Sequence, residues 1–367
     1  MRIATDFEGA RIEVQGVEGA RATLAIPADQ GAPRFRQHFA FDVVAPPGVE
    51  VACDIENAGE CTWADAFGGP YRVFVSDGTR WGRAESRLDA GKLRLTHRMT
   101  SPHARFAYYP PFFSSRITRL RKIAAAGGGR VERLGTTPGG KPVERFVFGE
   151  ASTPKPAIWV VAQQHPGEAM AGWLVEGLVL ALAGGRSQSR ELLERAVVSV
   201  VPRMNPDGVA AGNHRTTPAG VDLNRAWGAA DAPVEVRCVR DAMRASGAAL
   251  FLDVHGDERL PWVFTQSADP GGRTASIAKQ EARFEQAMTK ATPDFQTKHK
   301  YPTSPSSKPN LAFASTWAQL TLGCLGMILE MPFSDHLGRP DPRGFSPDRA
   351  RALGRALPVG LAAALTG

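Results

Sequence analysis

His165 and Glu168 stand three positions apart at the end of the run Ile158-Trp159-Val160-Val161-Ala162-Gln163-Gln164-His165-Pro166-Gly167-Glu168. An imidazole nitrogen and a carboxylate oxygen together suit a zinc ion. The chain has eight histidines and 37 acidic residues in 367. Chance alone then gives such a pair about 0.8 times, so its setting has to carry the inference. The run begins apolar and β-branched, which reads as a buried strand; Pro166 and Gly167 break it, and Ala169 to Leu182 has a helical pattern. The turn after a strand's carboxyl end is where open α/β sheets bind ligands.

Two further apolar strands end in the same way. Ala249-Leu250-Phe251-Leu252-Asp253-Val254 runs into His255, and Gly326-Met327-Ile328-Leu329 runs into Glu330. Strand ends on one sheet edge converge in space. His165, Glu168 and His255 would supply two imidazoles and a carboxylate, the ligand set of hydrolytic zinc sites that keep a position open for water. Water held there becomes a nucleophile near neutral pH. Glu330 is the natural general base, passing the water proton to a leaving amine. The bland alternatives are a buried ion pair for Glu330 and a core imidazole satisfied by backbone for His255.

The polar, turn-rich segment from Asn205 to Arg225 follows another apolar strand, Ala196 to Val201, and so belongs to the same edge. It offers Arg215 and Arg225. A guanidinium can fork onto a carboxylate or stabilise an oxyanion. Asp222 could orient a ligand histidine. The alternative is an ordinary solvated loop with a plain turn over Asn205 to Gly208.

These residues need a frame. Residues 1 to 112 carry short alternating runs, among them Ala10–Val14, Arg21–Ile26, His38–Val44, Tyr71–Val75, Lys92–His97 and Arg105–Tyr109, separated by Gly, Asp and Pro. That spacing predicts an antiparallel β-sandwich. Trp63, Tyr71 and Trp81 fit its core or a domain interface. Pro110-Pro111 marks a boundary. Beyond it, helices over Ser114–Ala126, Ala169–Leu182, Pro233–Ser246, Ala275–Lys290 and Asp348–Leu365 alternate with strands. Alternation of this kind predicts an α/β/α layering about a mixed or parallel sheet. The expected fold is therefore α/β in two domains: an antiparallel β-sandwich over 1–112 and an α/β domain over 113–367.

Bulk properties narrow the classes. Hydrophobic content of 43% and charged content of 22% are ordinary for a globular protein. The net charge of +7 permits an anionic substrate without demanding one. No aromatic-interleaved basic stripe or nucleic-acid motif occurs, so no nucleic-acid partner is expected. No run of about 18 apolar residues exists, so no membrane span is expected. The N-terminus lacks an apolar signal region, which predicts a cytoplasmic protein. The four cysteines show no paired spacing and read as free buried thiols.

The motifs, taken in order, resemble the zinc metallocarboxypeptidases of the carboxypeptidase A type. Asn205-Pro206-Asp207-Gly208, Gly212-Asn213-His214-Arg215, Asp222-Leu223-Asn224-Arg225, Asp253-Val254-His255-Gly256-Asp257-Glu258 and Leu329-Glu330-Met331-Pro332-Phe333 look like the cytosolic carboxypeptidase branch. So does a β-rich N-terminal segment leaving through Ala107-Tyr108-Tyr109-Pro110. The resemblance implies one zinc per chain on His165, Glu168 and His255, Glu330 as base and Arg215 on the oxyanion. It implies that Asn224 and Arg225 hold the substrate's terminal carboxylate and that Asp222 orients His165. Digestive members close a tyrosine over that carboxylate. Of four tyrosines, three lie in the N-terminal part, leaving Tyr301. The substrates implied are peptide or protein C-termini; a homo-oligomer is allowed. Lys298, His299, Lys300 and Lys308 suggest a pocket for an acidic last residue, as in the branch's deglutamylases. The competing activity is a related zinc amidohydrolase acting on N-acyl amino acids or cell-wall peptides.

Overall fold

The computed structural model describes residues 1–149, 155–268, 273–302 and 309–365. The first part of the chain forms ten strands. They are β1 (Arg2–Ala4), β2 (Glu13–Glu18), β3 (Arg21–Ala25), β4 (Ala40–Val44), β5 (Glu50–Ile55), β6 (Phe74–Ser76), β7 (Trp81–Arg83), β8 (Glu85–Asp89), β9 (Lys92–Arg98) and β10 (His103–Ala107). They make two five-stranded sheets, in the orders β1-β4-β10-β6-β7 and β2-β3-β5-β9-β8. Alternation sets the inner face: Leu93 and Leu95 of β9 are buried while Arg94 and Thr96 face out. They share one core with Cys53 and Ile55 of β5 and with Phe41, Val43 and Phe106 from the other sheet.

Two details depart from the sequence expectation. Strand β3 runs parallel to β5, with Leu24 opposite Ile55. The chain between them crosses to the other sheet to form β4 and then returns in the same direction, which permits a parallel pairing. The strand expected over Ala10–Val14 lies instead at Glu13–Glu18, an edge strand with every residue exposed and no buried face to fix its ends. Tyr108 and Tyr109 leave the sheet after β10 and pack onto the second part of the chain. The Tyr108 ring stacks on Phe333 at 4.6 Å, and the Tyr109 hydroxyl donates to the Phe345 carbonyl at 2.9 Å.

The second part holds α1 (Ser114–Ala126), α2 (Ala169–Ala183), α3 (Ser187–Arg195), α4 (Pro206–Ala211), α5 (Val234–Ser246), α6 (Ala275–Ala291), α7 (Ala314–Leu322) and α8 (Pro347–Ala364). Its strands are β11 (Arg130–Thr136), β12 (Pro142–Phe148), β13 (Ala157–Ala162), β14 (Val197–Val201), β15 (Leu250–Val254), β16 (Phe264–Ser267) and β17 (Leu325–Glu330). Among the described residues they form one mixed sheet in the order β11-β12-β14-β13-β15-β17-β16. The four strands β14, β13, β15 and β17 are mutually parallel. All six residues of β13 are buried, as a strand covered on both faces requires. Ile158, Val160 and Ala162 join the core with Leu174 of α2 and Leu353 of α8. Trp159 and Val161 face the other way, onto Val236 of α5 and Trp317 of α7.

Helix α2 is the keystone of one layer. It is buried on nearly every side and crosses α8 at backbone distance. A Cβ on Gly177 would stand 2.1 Å from the Arg351 carbonyl oxygen, and one on Gly354 would stand 1.9 Å from that of Leu174. The N-terminus of α2 therefore has a fixed position above β13. The four cysteines are unpaired.

Candidate metal centre and active site

Ala162 of β13 pairs with Val254 of β15, which pairs with Leu329 of β17. The three carboxyl ends thus stop level with one another, and the residues that follow meet above the sheet edge. Gln163 turns the chain out of β13 with φ at 51°, a left-handed backbone that a non-glycine residue adopts only under local constraint. Gly167 lets the turn settle against the 213–217 loop. Its N–H donates to the His214 carbonyl at 2.9 Å, and a Cβ there would lie 2.4 Å from the His214 ring. Glu168 then occupies the N-cap of α2.

His165, Glu168 and His255 come together, each buried, with one donor atom apiece all within 4.8 Å of one another. Glu168 Oε1 lies 2.6 Å from His165 Nδ1, and Glu168 Oε2 lies 2.8 Å from His255 Nδ1. Burial works against charge on Glu168, but His165 and His255 hold its carboxyl well below the usual range. Burial likewise disfavours a charged His255, yet Asp253 and Glu168 hold it well above the usual range. A cluster so rich in buried negative charge calls for a cation.

The second nitrogen of each imidazole is also taken. His165 Nε2 lies 3.1 Å from Asp222 Oδ1, and His255 Nε2 lies 2.8 Å from Asp253 Oδ2. A carboxylate on the outer nitrogen orients a ligand histidine and leaves the inner one for metal. The donor set, its spacing and this support all fit zinc. Asp222 is where the motif reading expected it. Asp253 was missed as a partner, although the sequence signals it: an aspartate inside the apolar run Leu250–Val254 is a buried charge that needs one. Gln164 Nε2 donates to the same Asp253 oxygen at 2.7 Å, and Trp227 in turn donates to Gln164 at 2.7 Å.

Glu330 ends β17 beside this cluster. Its Oε2 is buried with no hydrogen-bond partner among the described residues. Burial raises its carboxyl well above the usual range; Asp257, Glu168 and Glu258 add to the rise, and His255 opposes it. Tyr301 also reaches the centre. Its hydroxyl lies 3.1 Å from Glu330 Oε1 and hydrogen-bonds Asp257. Arg215 donates from Nε to Asp222 Oδ2 at 2.8 Å. Burial disfavours its charge, but Asp222 and Glu168 raise its pKa above the ordinary value.

Asn224 and Arg225 occupy the 3₁₀ turn after Asp222. Asn224 is buried, with Nδ2 at 3.2 Å from His255 Nε2 and Oδ1 accepting from the Ala314 N–H at 2.9 Å. Arg225 is exposed and lies over the Phe313 ring at 4.1 Å. The expected acidic-residue pocket fares less well. Lys300 pairs with Glu285, and His299 stacks on Trp262 at 4.1 Å. Lys298 is exposed, and Lys308 lies outside the described residues.

A family model for the cytosolic carboxypeptidase N-terminal domain matches residues 3–109, and one for zinc carboxypeptidases matches residues 120–351. The chain belongs to the zinc carboxypeptidase family. As a metallocarboxypeptidase it is similar over nearly its whole length to solved bacterial structures. The metallo-carboxypeptidase of Burkholderia cenocepacia is 34% identical with a TM-score of 0.94, covering 99% of each chain. That of Pseudomonas aeruginosa, in complex with (2-guanidinoethylmercapto)succinic acid, is 37% identical with a TM-score of 0.93, covering 99% of this chain and 98% of the other. An uncharacterized protein of Zymomonas mobilis is 33% identical over 97% of this chain and 94% of its own length. Bovine cytosolic carboxypeptidase 3 is 30% identical over 39% of this chain, a match that spans only 15% of the bovine protein.

Proposed function

We propose that this carboxypeptidase removes single C-terminal residues from peptides or proteins in the cytoplasm. In this reading one zinc ion per chain is held by His165, Glu168 and His255, and the chain divides into a β-sandwich over 1–112 and a catalytic domain over 113–367. One observation carries it: the two inner imidazole nitrogens converge on Glu168 while carboxylates occupy the two outer ones.

Zinc in that position would supply Lewis-acid chemistry, acidifying water and polarising the scissile carbonyl. Glu330 accepts the water proton on Oε2 as the oxygen attacks the carbonyl carbon. It returns that proton to the amine as the C–N bond breaks. Burial and neighbouring carboxylates make it a stronger base than an exposed glutamate. Arg215, steadied by Asp222, offsets the negative charge developing on the carbonyl oxygen. Arg225, braced over Phe313, holds the terminal carboxylate of the substrate, with Asn224 beside it. Tyr301 closes the site next to Glu330.

The acidic-residue preference loses its support, because the charge of Lys300 is offset by Glu285. Asp257, which the Tyr301 hydroxyl links to Glu330, puts negative charge beside the centre and favours a neutral or basic last side chain instead. The relative from Pseudomonas binds a succinic acid that carries a guanidino group, which agrees with a site that grips carboxylates.

The test is metal content together with hydrolysis of peptides that differ only in a final Glu, Leu or Lys. The reading requires zinc in the purified protein and release of single C-terminal residues, with Leu or Lys released faster than Glu. Zinc with every peptide intact would reject it, and N-acyl amino acids would be tried next.

A further inference from the structure

Asp29 lies in the N-terminal part of the chain, in the turn after β3. Its carboxylate is nevertheless buried, at 6% exposure, against the loop that carries Arg215. Oδ1 accepts from the His214 backbone N–H at 2.6 Å. Oδ2 accepts from the N–H groups of Arg215 at 2.7 Å and Thr216 at 3.0 Å, and from the Thr216 hydroxyl at 3.3 Å. Successive N–H groups converging on one point form an anion nest, and here the anion comes from the chain itself. An ionised carboxylate accepts only, so both oxygens suit this place. An amide would turn its NH₂ towards donors.

The next two residues reinforce the contact. Gln30 N–H donates to Asn213 Oδ1 at 2.8 Å, and Asn213 Nδ2 donates back to the Gln30 carbonyl at 3.1 Å. Gly31 has φ +75°, and a Cβ on it would stand 2.3 Å from the Pro218 carbonyl oxygen. The Arg215 side chain then runs to Asp222, whose other oxygen meets His165 at 3.1 Å. Asp29, Arg215, Asp222 and His165 thus connect the N-terminal part to the metal centre in three contacts.

We propose that Asp29 is a positioning residue, through which the N-terminal sheets set the backbone of residues 214–216 and so aim the Arg215 guanidinium at the oxyanion. The proposal rests on the reading of Arg215 given above. It explains why a buried charge from outside the catalytic sheet is used entirely on that loop.

The experiment compares full-length, zinc-loaded wild type, Asp29→Asn, Arg215→Ala and the double variant on one peptide, with kcat, KM, zinc content and melting temperature read for each. Asp29→Asn should lower kcat about 10- to 100-fold, the size expected for a misplaced catalytic group, with zinc retained and KM changed much less. The double variant should be no slower than Arg215→Ala alone, because residues acting through one another are not additive. A wild-type kcat for Arg215→Ala would reject the Arg215 reading and the proposal with it. A slow Arg215→Ala beside a wild-type kcat for Asp29→Asn, or losses that multiply in the double variant, would overturn the Asp29 proposal alone. Should Asp29→Asn not fold, Asp29→Glu keeps the charge and shifts the two oxygens away from the N–H groups of residues 214–216. The same non-additive loss of kcat is then expected, and an unchanged kcat overturns the proposal.

Discussion

Asp253 Oδ2 lies 2.8 Å from Nε2 of His255, two residues further along the same strand exit. Residues two apart on an extended chain share a face, so β15 delivers the histidine and the group that orients it as one unit. Asp222 serves His165 from a separate loop.

Asp253→Asn should therefore weaken zinc binding about 10- to 100-fold, as the loss of a carboxylate behind a ligand histidine does. Competition against a chromogenic chelator measures this. A zinc dissociation constant equal to that of wild type would show that His255 keeps its orientation without Asp253.

Glu330→Gln keeps the shape of the side chain and removes its basicity. The expected result is a fall in kcat of about 10²- to 10⁴-fold with zinc content unchanged. Retained activity would move the role of base to another group.

His38 is buried with Nε2 at 3.1 Å from the Gly9 carbonyl oxygen. Burial pushes its pKa down to about 4 from 6.5, with His214 and Arg11 adding to the fall and the Gly9 carbonyl opposing it. Between those values the unfolded chain binds the extra proton, so stability falls as pH drops through this window and is indifferent to His38 above it. The whole effect is about 3 kcal/mol. Urea unfolding at pH 7.5 and pH 5 should show about 2 kcal/mol of this loss in wild type and a smaller one in His38→Gln. Equal losses would assign the acid sensitivity elsewhere.

Gly177→Ala places a methyl 2.1 Å from the Arg351 carbonyl oxygen at the α2–α8 crossing. It should cost about 1–3 kcal/mol of stability, the usual penalty for overpacking, read as a lowered urea midpoint. An unchanged midpoint would mean that the two helices can part at little cost.

The α/β layering was legible because runs such as Ile158 to Ala162 are short, β-branched, apolar at every position and stopped by turn residues, as a strand covered on both faces is. That His165, Glu168 and His255 would meet was legible from where they stand, each just past such a run. The parallel pairing of β3 with β5 was not, since alternation reads the same in either direction. The Lys300–Glu285 pair depends on how α6 packs, which no local pattern reports. Asp29 stood 186 residues from Arg215, and its partners are mostly backbone N–H groups that carry no side-chain signature.

The level ends of β13, β15 and β17 also bear on how the protein forms. Glu168 and His255 are 87 residues apart in the chain, and parallel neighbours pair only after long loops have closed. Such contacts are slow to form because the entropy of closure is spent before any contact repays it. No short piece of the chain carries the complete ligand set, so tight metal capture marks the completion of folding. In a refolding experiment helical signal should return first, and zinc uptake should follow with the closing of the central sheet.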